Sequence, residues 1–289
     1  MSNSRKRNRQ IYVFMAPALA VMLVFFMLPV AMAIFYSFTN LALTGSKASN
    51  LEVIGLANYI KICKDPAVKD AIVKTLVFTV ACVAGQNVLG FGVAYFMQDT
   101  KTVFRRIIGP VQLAAWVMPE VVSAICTYSV FTDKGTLNVI IQALGFGKIS
   151  WLYKYPMLSI ILGNIWRGTA YSMMVYQAAL DNVPGEVKEA SRIDGAGRLQ
   201  TIGYVELPII KNTIMTNAML TTLMTLGSFG FIWIITGGGP GNATTTLPVL
   251  MYLKAFKNYD LGYGTAISMV LLLISAVFGI IYTRQSEGD

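Results

Sequence analysis

The chain has 289 residues, of which 55% are hydrophobic and 13% are charged, and its formal net charge is +9. Soluble domains carry about 25% charged residues, so this composition excludes a water-soluble globular protein and predicts a chain embedded in a bilayer. The basic residues cluster at the ends of apolar runs, which is typical of membrane spans and argues against a nucleic-acid-binding face. The three cysteines show no metal or redox spacing and histidine is absent, so we expect no metal site.

Six apolar stretches are long enough to cross a membrane, since a helical span needs about 20 mostly apolar residues. In chain order they cover residues 11–38, 71–97, 107–131, 157–180, 213–235 and 263–281. The first stretch is too long for a cleavable signal peptide, and we expect it to be retained as a span. The sequence therefore predicts an all-α membrane protein with six transmembrane helices, in which residues 11–289 form one transmembrane domain.

Lysine and arginine in the flanks of the spans predict the orientation of the chain. Basic clusters occupy the N-terminal residues 1–10 and the segments that follow the second, fourth and sixth spans, whereas the alternate loops contain lysines but no arginine. The residues of these clusters are Arg5, Lys6, Arg7, Arg9, Lys101, Arg105, Arg106, Lys188, Arg192, Arg198, Lys211 and Arg284. Both termini are therefore predicted to be cytoplasmic.

A charged stretch, residues 181–208, separates the fourth span from the fifth; we call it the polar segment. It contains the run NVPGEVKEASRIDGAGRLQTIGYVELP. Pro184 suits the first position of a helix, and the glycines that follow Asp194 favour a sharp reversal, so two short helices joined by a glycine turn are predicted. The residues alone leave open whether this is a rigid knob on the cytoplasmic face or an amphipathic segment resting on the inner leaflet.

The polar segment resembles the Glu-Ala-Ala signature of permease subunits in bacterial ATP-binding-cassette (ABC) importers. In that signature Glu-Ala-Ala is followed by three residues, Gly, nine residues, Ile, one residue and Leu-Pro. This chain has the same spacing from Glu189 to Pro208, with Ser191 and Val205 as two small departures. Other stretches, including FTDKGTLN, GFGKISWL and TGGGPGNATTTLPVLMYLKAF, are similar to carbohydrate-type permeases, so the resemblance extends over nearly the whole chain.

The resemblance implies the fold of a type I ABC importer permease, with a cytoplasmic coupling helix that sits in a groove of the ATPase. In this interpretation Glu189 makes a polar contact with the ATPase and Gly195 permits the turn. The residues assigned to ATPase docking in this way are Glu189, Ala190, Ser191, Asp194, Gly195, Leu207 and Pro208.

The same resemblance implies a permease subunit of an ATP-driven importer for a sugar or oligosaccharide, multi-pass in the bacterial cytoplasmic membrane. The implied partners are a second homologous permease, two cytoplasmic ATPase subunits and an extracytoplasmic sugar-binding protein. The chain has no G-x-x-x-x-G-K-[ST] phosphate loop, so ATP hydrolysis would fall to the partners, and we expect no catalytic residue and no cofactor. The alternative is a stand-alone ion-coupled secondary transporter or a channel, although the two halves show no convincing internal repeat.

Ionisable residues inside spans are costly and point to function. Glu120 follows Pro119, which permits a kink in the third span. Asn164, Arg167 and Tyr171 are spaced three to four residues apart and share one helical face. We hypothesise that these side chains line a polar passage, and the alternative is a buried Glu120–Arg167 pair that only fixes helix packing. The candidates for the passage are Glu120, Asn164, Trp166, Arg167 and Tyr171, of which the tryptophan could stack on the apolar face of a sugar.

Overall fold

The computed structural model describes residues 14–98 and 102–287, and these residues are almost entirely helical. One isolated antiparallel bridge, between Thr39 and Val53, is the extent of β pairing in this part of the chain. The prediction of an all-α protein is thus confirmed. The basic N-terminal residues 1–10 and Lys101, on which part of the orientation rests, lie outside the described residues.

The helices are numbered in chain order. The first half contains α1 (Phe14–Ser37), α2 (Ser46–Ser49), α3 (Ala57–Lys64), α4 (Pro66–Gln98), α5 (Thr102–Val117), α6 (Glu120–Phe131), α7 (Thr136–Ala143) and α8 (Trp151–Lys154). The second half contains α9 (Pro156–Asp181), α10 (Gly185–Ile193), α11 (Arg198–Thr201), α12 (Leu207–Ile209), α13 (Lys211–Leu226), α14 (Gly230–Thr236), α15 (Leu247–Tyr252) and α16 (Leu261–Glu287). Single π-helical turns occur at Leu23–Met27, Ile202–Glu206 and Leu253–Lys257.

Three of these helices are both long and apolar enough to span a membrane: α1, α4 and α16. Two bent pairs meet the same test when each is taken as one span, α5 with the helical residues 120–143 (bent by 104°) and α13 with α14 (bent by 49°). Helix α9 has 26 residues and is long enough to cross a membrane, but it is less apolar than these helices. The number of six spans therefore stays a prediction.

The predicted third and fifth spans are not continuous helices. Helix α5 ends at Val117 and α6 starts after Pro119, because a proline has no N–H to donate and disfavours helical backbone at the residue before it. The predicted stretch 213–235 is interrupted after Gly227, which caps the end of α13. Both breaks bring helix ends next to the polar residues described below.

The chain divides into two compact units, of which the first comprises residues 14–68 and 250–270. Its helix α1 leaves apolar side chains uncovered, with Phe14 83% and Phe25 70% exposed. The end of α1 is tied to α3 by the buried Asn58, whose Nδ2 donates to the carbonyls of Ser37 and Thr39 at 2.9 Å each. An apolar surface of this kind requires lipid or another protein around it.

The second unit comprises residues 69–249 and 271–287. Helix α4 packs closely on α9 because Gly90 has no side chain, and small residues at such positions let membrane helices approach each other. At the ends of α4 and α9 that are predicted to face the cytoplasm lies a buried apolar core. It consists of Ala94, Met97, Met173, Tyr176, Leu180, Val183 and Ile210. This packing fixes α9, which carries most of the residues predicted to line a passage.

Candidate functional site

A polar cleft of about 260 Å³ lies in the second unit between α9, α13 and the break between α5 and α6. Four of the five residues predicted to line a passage border it: Glu120, Asn164, Arg167 and Tyr171. Helix α13 and the residues after it supply the opposite wall, which includes Thr221, Thr225 and Ser228. The structure thus brings together residues from distant parts of the sequence into one concave, hydroxyl- and amide-rich surface.

The two charged side chains of the cleft face each other. The Glu120 Oε1 and Arg167 Nη1 atoms are 3.9 Å apart, which is within ion-pair range but too long for a hydrogen bond. The same Oε1 accepts a hydrogen bond of 3.0 Å from the Phe231 backbone N–H, so the carboxylate also fixes the start of α14. Because the side chains of Glu120 and Arg167 remain 38% and 31% exposed, both can still interact with a molecule in the cleft.

Asn164 is held by a partner that the sequence did not suggest. Gln86 on α4 donates from Nε2 to the Asn164 Oδ1 atom at 2.8 Å, and both side chains are buried. Gly168 lies directly against the Gln86 amide, and a Cβ at this position would overlap the amide group. The absence of a side chain at Gly168 therefore lets Gln86 reach across to the cleft wall. Two adjacent amides in an otherwise apolar span, Gln86 and Asn87, were the signal available in the sequence.

The tryptophan that borders the cleft is Trp116 and not Trp166. The Trp116 and Tyr171 rings are stacked, with centroids 5.7 Å apart and an interplanar angle of 26°. Trp166 is not among the residues bordering the cleft and is 48% exposed. The prediction that Trp166 faces the passage with Asn164 does not fit this geometry, because two residues turn a helix by about 200°.

A second small cleft of about 280 Å³ continues along α9 and α13, and Tyr171 borders both clefts. Its walls include Thr216 and Asn217 on α13. Behind it lies a buried polar network, in which Asn217 Nδ2 donates to Asn87 Oδ1 at 2.8 Å and to Ser172 Oγ at 3.1 Å. Buried amides and hydroxyls between membrane helices are costly unless paired, so this network fixes the relative placement of α4, α9 and α13.

The polar segment forms the predicted pair of short helices. Helix α10 ends in a Schellman motif, which consists of two hydrogen bonds. The Ala196 N–H donates to the Ser191 carbonyl at 2.9 Å, and the Gly195 N–H donates to the Arg192 carbonyl at 3.1 Å. Gly195 has φ +81°, the left-handed conformation that glycine adopts without penalty. The chain then turns into α11, so the glycine has the conformation expected from its place in the signature.

The residues that the resemblance assigns to ATPase docking differ in how exposed their side chains are. Glu189, Ala190, Asp194, Gly195 and Pro208 are exposed, and Leu207 is partly buried. Ser191 is only 9% exposed, and its Oγ lies 3.2 Å from the Thr201 Oγ1, so its hydroxyl joins α10 to α11 and faces away from the surface. Large apolar side chains near the turn are instead uncovered: Ile193 (86% exposed), Leu199 (82%) and Tyr204 (82%).

Comparison of the sequence with known proteins identifies a family that this chain matches. A family model described as the binding-protein-dependent transport system inner membrane component matches residues 86–287. The multiple sugar-binding transport system permease protein MsmF of Streptococcus mutans is 31% identical over 285 residues, covering 96% of this chain and 94% of the relative. The trehalose/maltose transport system permease protein MalF of Thermococcus litoralis is 28% identical over 279 residues, covering 94% and 92%.

The fold itself has a close structural counterpart. A crystal structure of a bacterial alginate ABC transporter, in complex with an alginate pentasaccharide-bound periplasmic protein, aligns with a TM-score of 0.83 at 18% identity. The alignment covers 99% of this chain and 96% of that chain. This likeness concerns the fold alone. The family model matches more than half of the sequence, so the chain belongs to the family of inner membrane components of binding-protein-dependent transport systems.

Proposed function

We propose that this chain is the permease subunit of an ATP-driven importer that takes up a sugar or oligosaccharide delivered by an extracytoplasmic binding protein. The observation that carries the proposal is the polar cleft between α9 and α13, which lies within helices of a membrane component. The relatives named above are permeases for sugars, which supports a sugar as the substrate.

The chemistry of the cleft suits a polyhydroxylated molecule. The Arg167 guanidinium donates to sugar hydroxyls, the Glu120 carboxylate accepts from them, and Thr225 can do both. The stacked Trp116 and Tyr171 rings add an apolar surface for the C–H faces of a sugar ring. A few directional polar groups around an aromatic wall are typical of small-molecule sites.

We further propose that the polar segment, residues 181–208, is the coupling element that docks on a cytoplasmic ATPase. Its exposed Glu189 and Asp194 supply polar contacts, and the uncovered Ile193 and Leu199 supply the apolar centre that a stable interface requires. Ser191 contributes from within, by holding α10 against α11. Gly195 shapes the turn.

The assembly that follows from this proposal has six spans in this chain and both termini in the cytoplasm. Each bent pair counts as one span and α9 as another, since the polar side of α9 is turned towards the cleft. A second, homologous permease completes the passage, two ATPase subunits bind and hydrolyse ATP, and the binding protein docks on the outer loops. Nucleotide binding drives transport because the outward- and inward-open states differ in their contacts with the ATPases.

The first experiment is co-purification of the chain from membranes with its ATPase, comparing the wild type with Glu189→Lys and Gly195→Asp. We expect the ATPase with the wild type and its loss in both variants. Lys148→Met, which alters an exposed outer-loop residue, is the control and should keep the ATPase. A wild-type chain that purifies alone and moves solute along an ion gradient would contradict the proposal.

The cleft is tested in the purified complex with its binding protein. ATP hydrolysis is measured with a panel of monosaccharides, disaccharides and oligosaccharides, and with amino acids for comparison. Stimulation by a sugar, lost in Arg167→Gln and Glu120→Gln at normal complex yield but kept in Trp166→Phe, supports the passage. Stimulation by amino acids alone would contradict the sugar assignment, and failure of both cleft variants to assemble would favour a packing role.

A further inference from the structure

A buried ion pair joins the two ends of the polar segment. Lys188 on α10 and Glu206, which lies just before α12, are 3.0 Å apart between Nζ and Oε1. The side chain of Glu206 is 4% exposed and that of Lys188 is 21% exposed. Among the residues that the structure describes, the other Glu206 carboxylate oxygen is buried and has no hydrogen-bond partner. The Lys188 ammonium therefore lies in ion-pair contact with a buried carboxylate and compensates its charge.

Because it is largely buried, this ion pair holds α10 and the end of the polar segment together more firmly than an exposed ion pair would. Exposed ion pairs contribute little because water screens them and both side chains remain mobile. Removing one partner of a buried pair instead leaves an uncompensated charge at low dielectric, which is strongly unfavourable. Separating Glu206 from Lys188 therefore costs free energy, so the Glu206 carboxylate should move with Lys188 when α10 is displaced.

The link reaches both helices that form the polar cleft. Lys188 Nζ also lies 3.5 Å from the Leu180 carbonyl, in the last turn of α9, where lysine commonly binds free carbonyls. Glu206 accepts the Ile210 N–H through its own carbonyl at 3.0 Å, and Ile210 immediately precedes α13. Leu180 and Ile210 also belong to one buried apolar cluster. One lysine therefore connects α10 to the end of α9 and to the start of α13.

The distances from this link to the cleft are short and run along continuous helix. Tyr171 lies nine residues before Leu180 on α9, about 14 Å along the helix axis. Thr221 lies eleven residues after Ile210 on α13, about 16 Å along the axis. The structure describes no break in either helix between the ion pair and the cleft. Rotation or tilting of α9 or α13 at the ion pair would therefore move the residues that line the cleft.

We infer that Lys188 and Glu206 are positioning residues for transport: their ion pair makes α10 move as one body with α9 and α13, so that displacement of the polar segment opens or closes the polar cleft. This inference rests on the proposed coupling role of the polar segment. Glu206, the one residue that the signature leaves unspecified between Val205 and Leu207, thereby gains a function.

The test measures whether nucleotide changes access to the cleft. A single reporter cysteine, Thr225→Cys, is placed in a chain with Cys63, Cys82 and Cys126 replaced, because Thr225 borders the cleft and is only 5% exposed. The complex with its ATPase is treated with N-ethylmaleimide, with and without vanadate-trapped ATP. In the otherwise unchanged complex we expect the alkylation rate to change about tenfold, a usual size for coupling between sites.

Glu206→Gln and Lys188→Met should each abolish this response while the ATPase still co-purifies and hydrolyses ATP. The exchanged pair Lys188→Glu with Glu206→Lys should restore most of it, which a loss of local packing alone would not allow. The control is Lys148→Met, which breaks the ion pair with Asp133, an exposed pair of similar length (3.2 Å), and should leave the response intact.

Two outcomes overturn the inference on its own: an unchanged nucleotide response in both single variants, or loss of the ATPase from both that the exchanged pair does not restore. A different outcome overturns the proposed function. If the complex without pair substitutions shows no nucleotide response, the polar segment does not couple ATP to the cleft at all.

Discussion

The close packing of α4 on α9 depends on Gly90, and adding one methyl group there should separate the two helices. A Cβ at position 90 would lie 2.5 Å from the Ser172 Cβ, 2.9 Å from the Met173 backbone nitrogen and 3.0 Å from the Ser172 carbonyl carbon. Ordinary van der Waals contact begins at 3.4 Å. Two of the three atoms belong to backbone and cannot rotate away, so we expect α9 to shift by about 1 Å.

Comparing Gly90→Ala with Gly92→Ala separates the free-energy cost of overpacking from the change in helix propensity. A Cβ at Gly92, on the same helix, meets nothing within 4 Å. Both variants gain about 1 kcal/mol of helix propensity over glycine. Their difference therefore contains the overpacking cost alone, about 1–3 kcal/mol.

The assay is thermal unfolding of the detergent-solubilised protein, followed by size-exclusion chromatography. At about 2–4 °C per kcal/mol for larger domains, Gly90→Ala should unfold about 2–12 °C below Gly92→Ala. Equal unfolding temperatures would refute the reasoning, because they would mean that α4 and α9 do not meet at Gly90.

Two further predictions concern the loops. Gly195→Ala should cost about 1–2 kcal/mol, because Gly195 has φ +81°, whereas Gly203→Ala, with ordinary φ and open space, should cost none; equal unfolding temperatures would rule out the left-handed turn. Burial raises the pKa of Asp65, but hydrogen bonds from the Tyr263 hydroxyl and the Ala67 N–H, together with the Lys254 ammonium, outweigh burial and hold that pKa below its ordinary value of 3.8. A lowered carboxyl pKa stabilises the fold above the unfolded-state value, and this contribution is lost as pH falls through the native pKa. Asp65→Asn should therefore lower the unfolding temperature at pH 6, and the difference from the wild type should shrink as the pH falls below 3.8, with the exposed Asp70→Asn as control; a difference that does not shrink as the medium is acidified would show that the Asp65 charge is not responsible.

The sequence located the long helices well and their interruptions poorly. The predicted stretches 11–38 and 157–180 correspond to α1 and α9 within a few residues. Helix α4 starts earlier than its predicted span, at Pro66, because its first turn is polar and hydropathy does not register it. Apolarity is averaged along a stretch, so it carries no information on the 104° bend after Val117, although Pro119 was recognised as a place where the backbone could kink.

The cleft was predictable where it depends on one helix and not where it depends on packing between helices. The spacing of Asn164, Arg167 and Tyr171 places them on one face of α9, and all three border the cleft. Trp116 and Gln86 reach the same cleft from α5 and α4. Their contribution follows from close approaches such as that at Gly168, which a single sequence does not encode in any local pattern.

The proposal that α9 is a span accounts for its lower apolarity. Its polar residues are not turned to lipid: Ser159, Asn164 and Ser172 are buried, and Arg167 faces the cleft. A helix needs an apolar surface only where it meets hydrocarbon, and polar groups on its inner side are satisfied by neighbouring helices or by a water-filled passage. The same polar face that removes α9 from the set of apolar spans is therefore what a passage-lining helix requires, and it supports counting α9 as the sixth span.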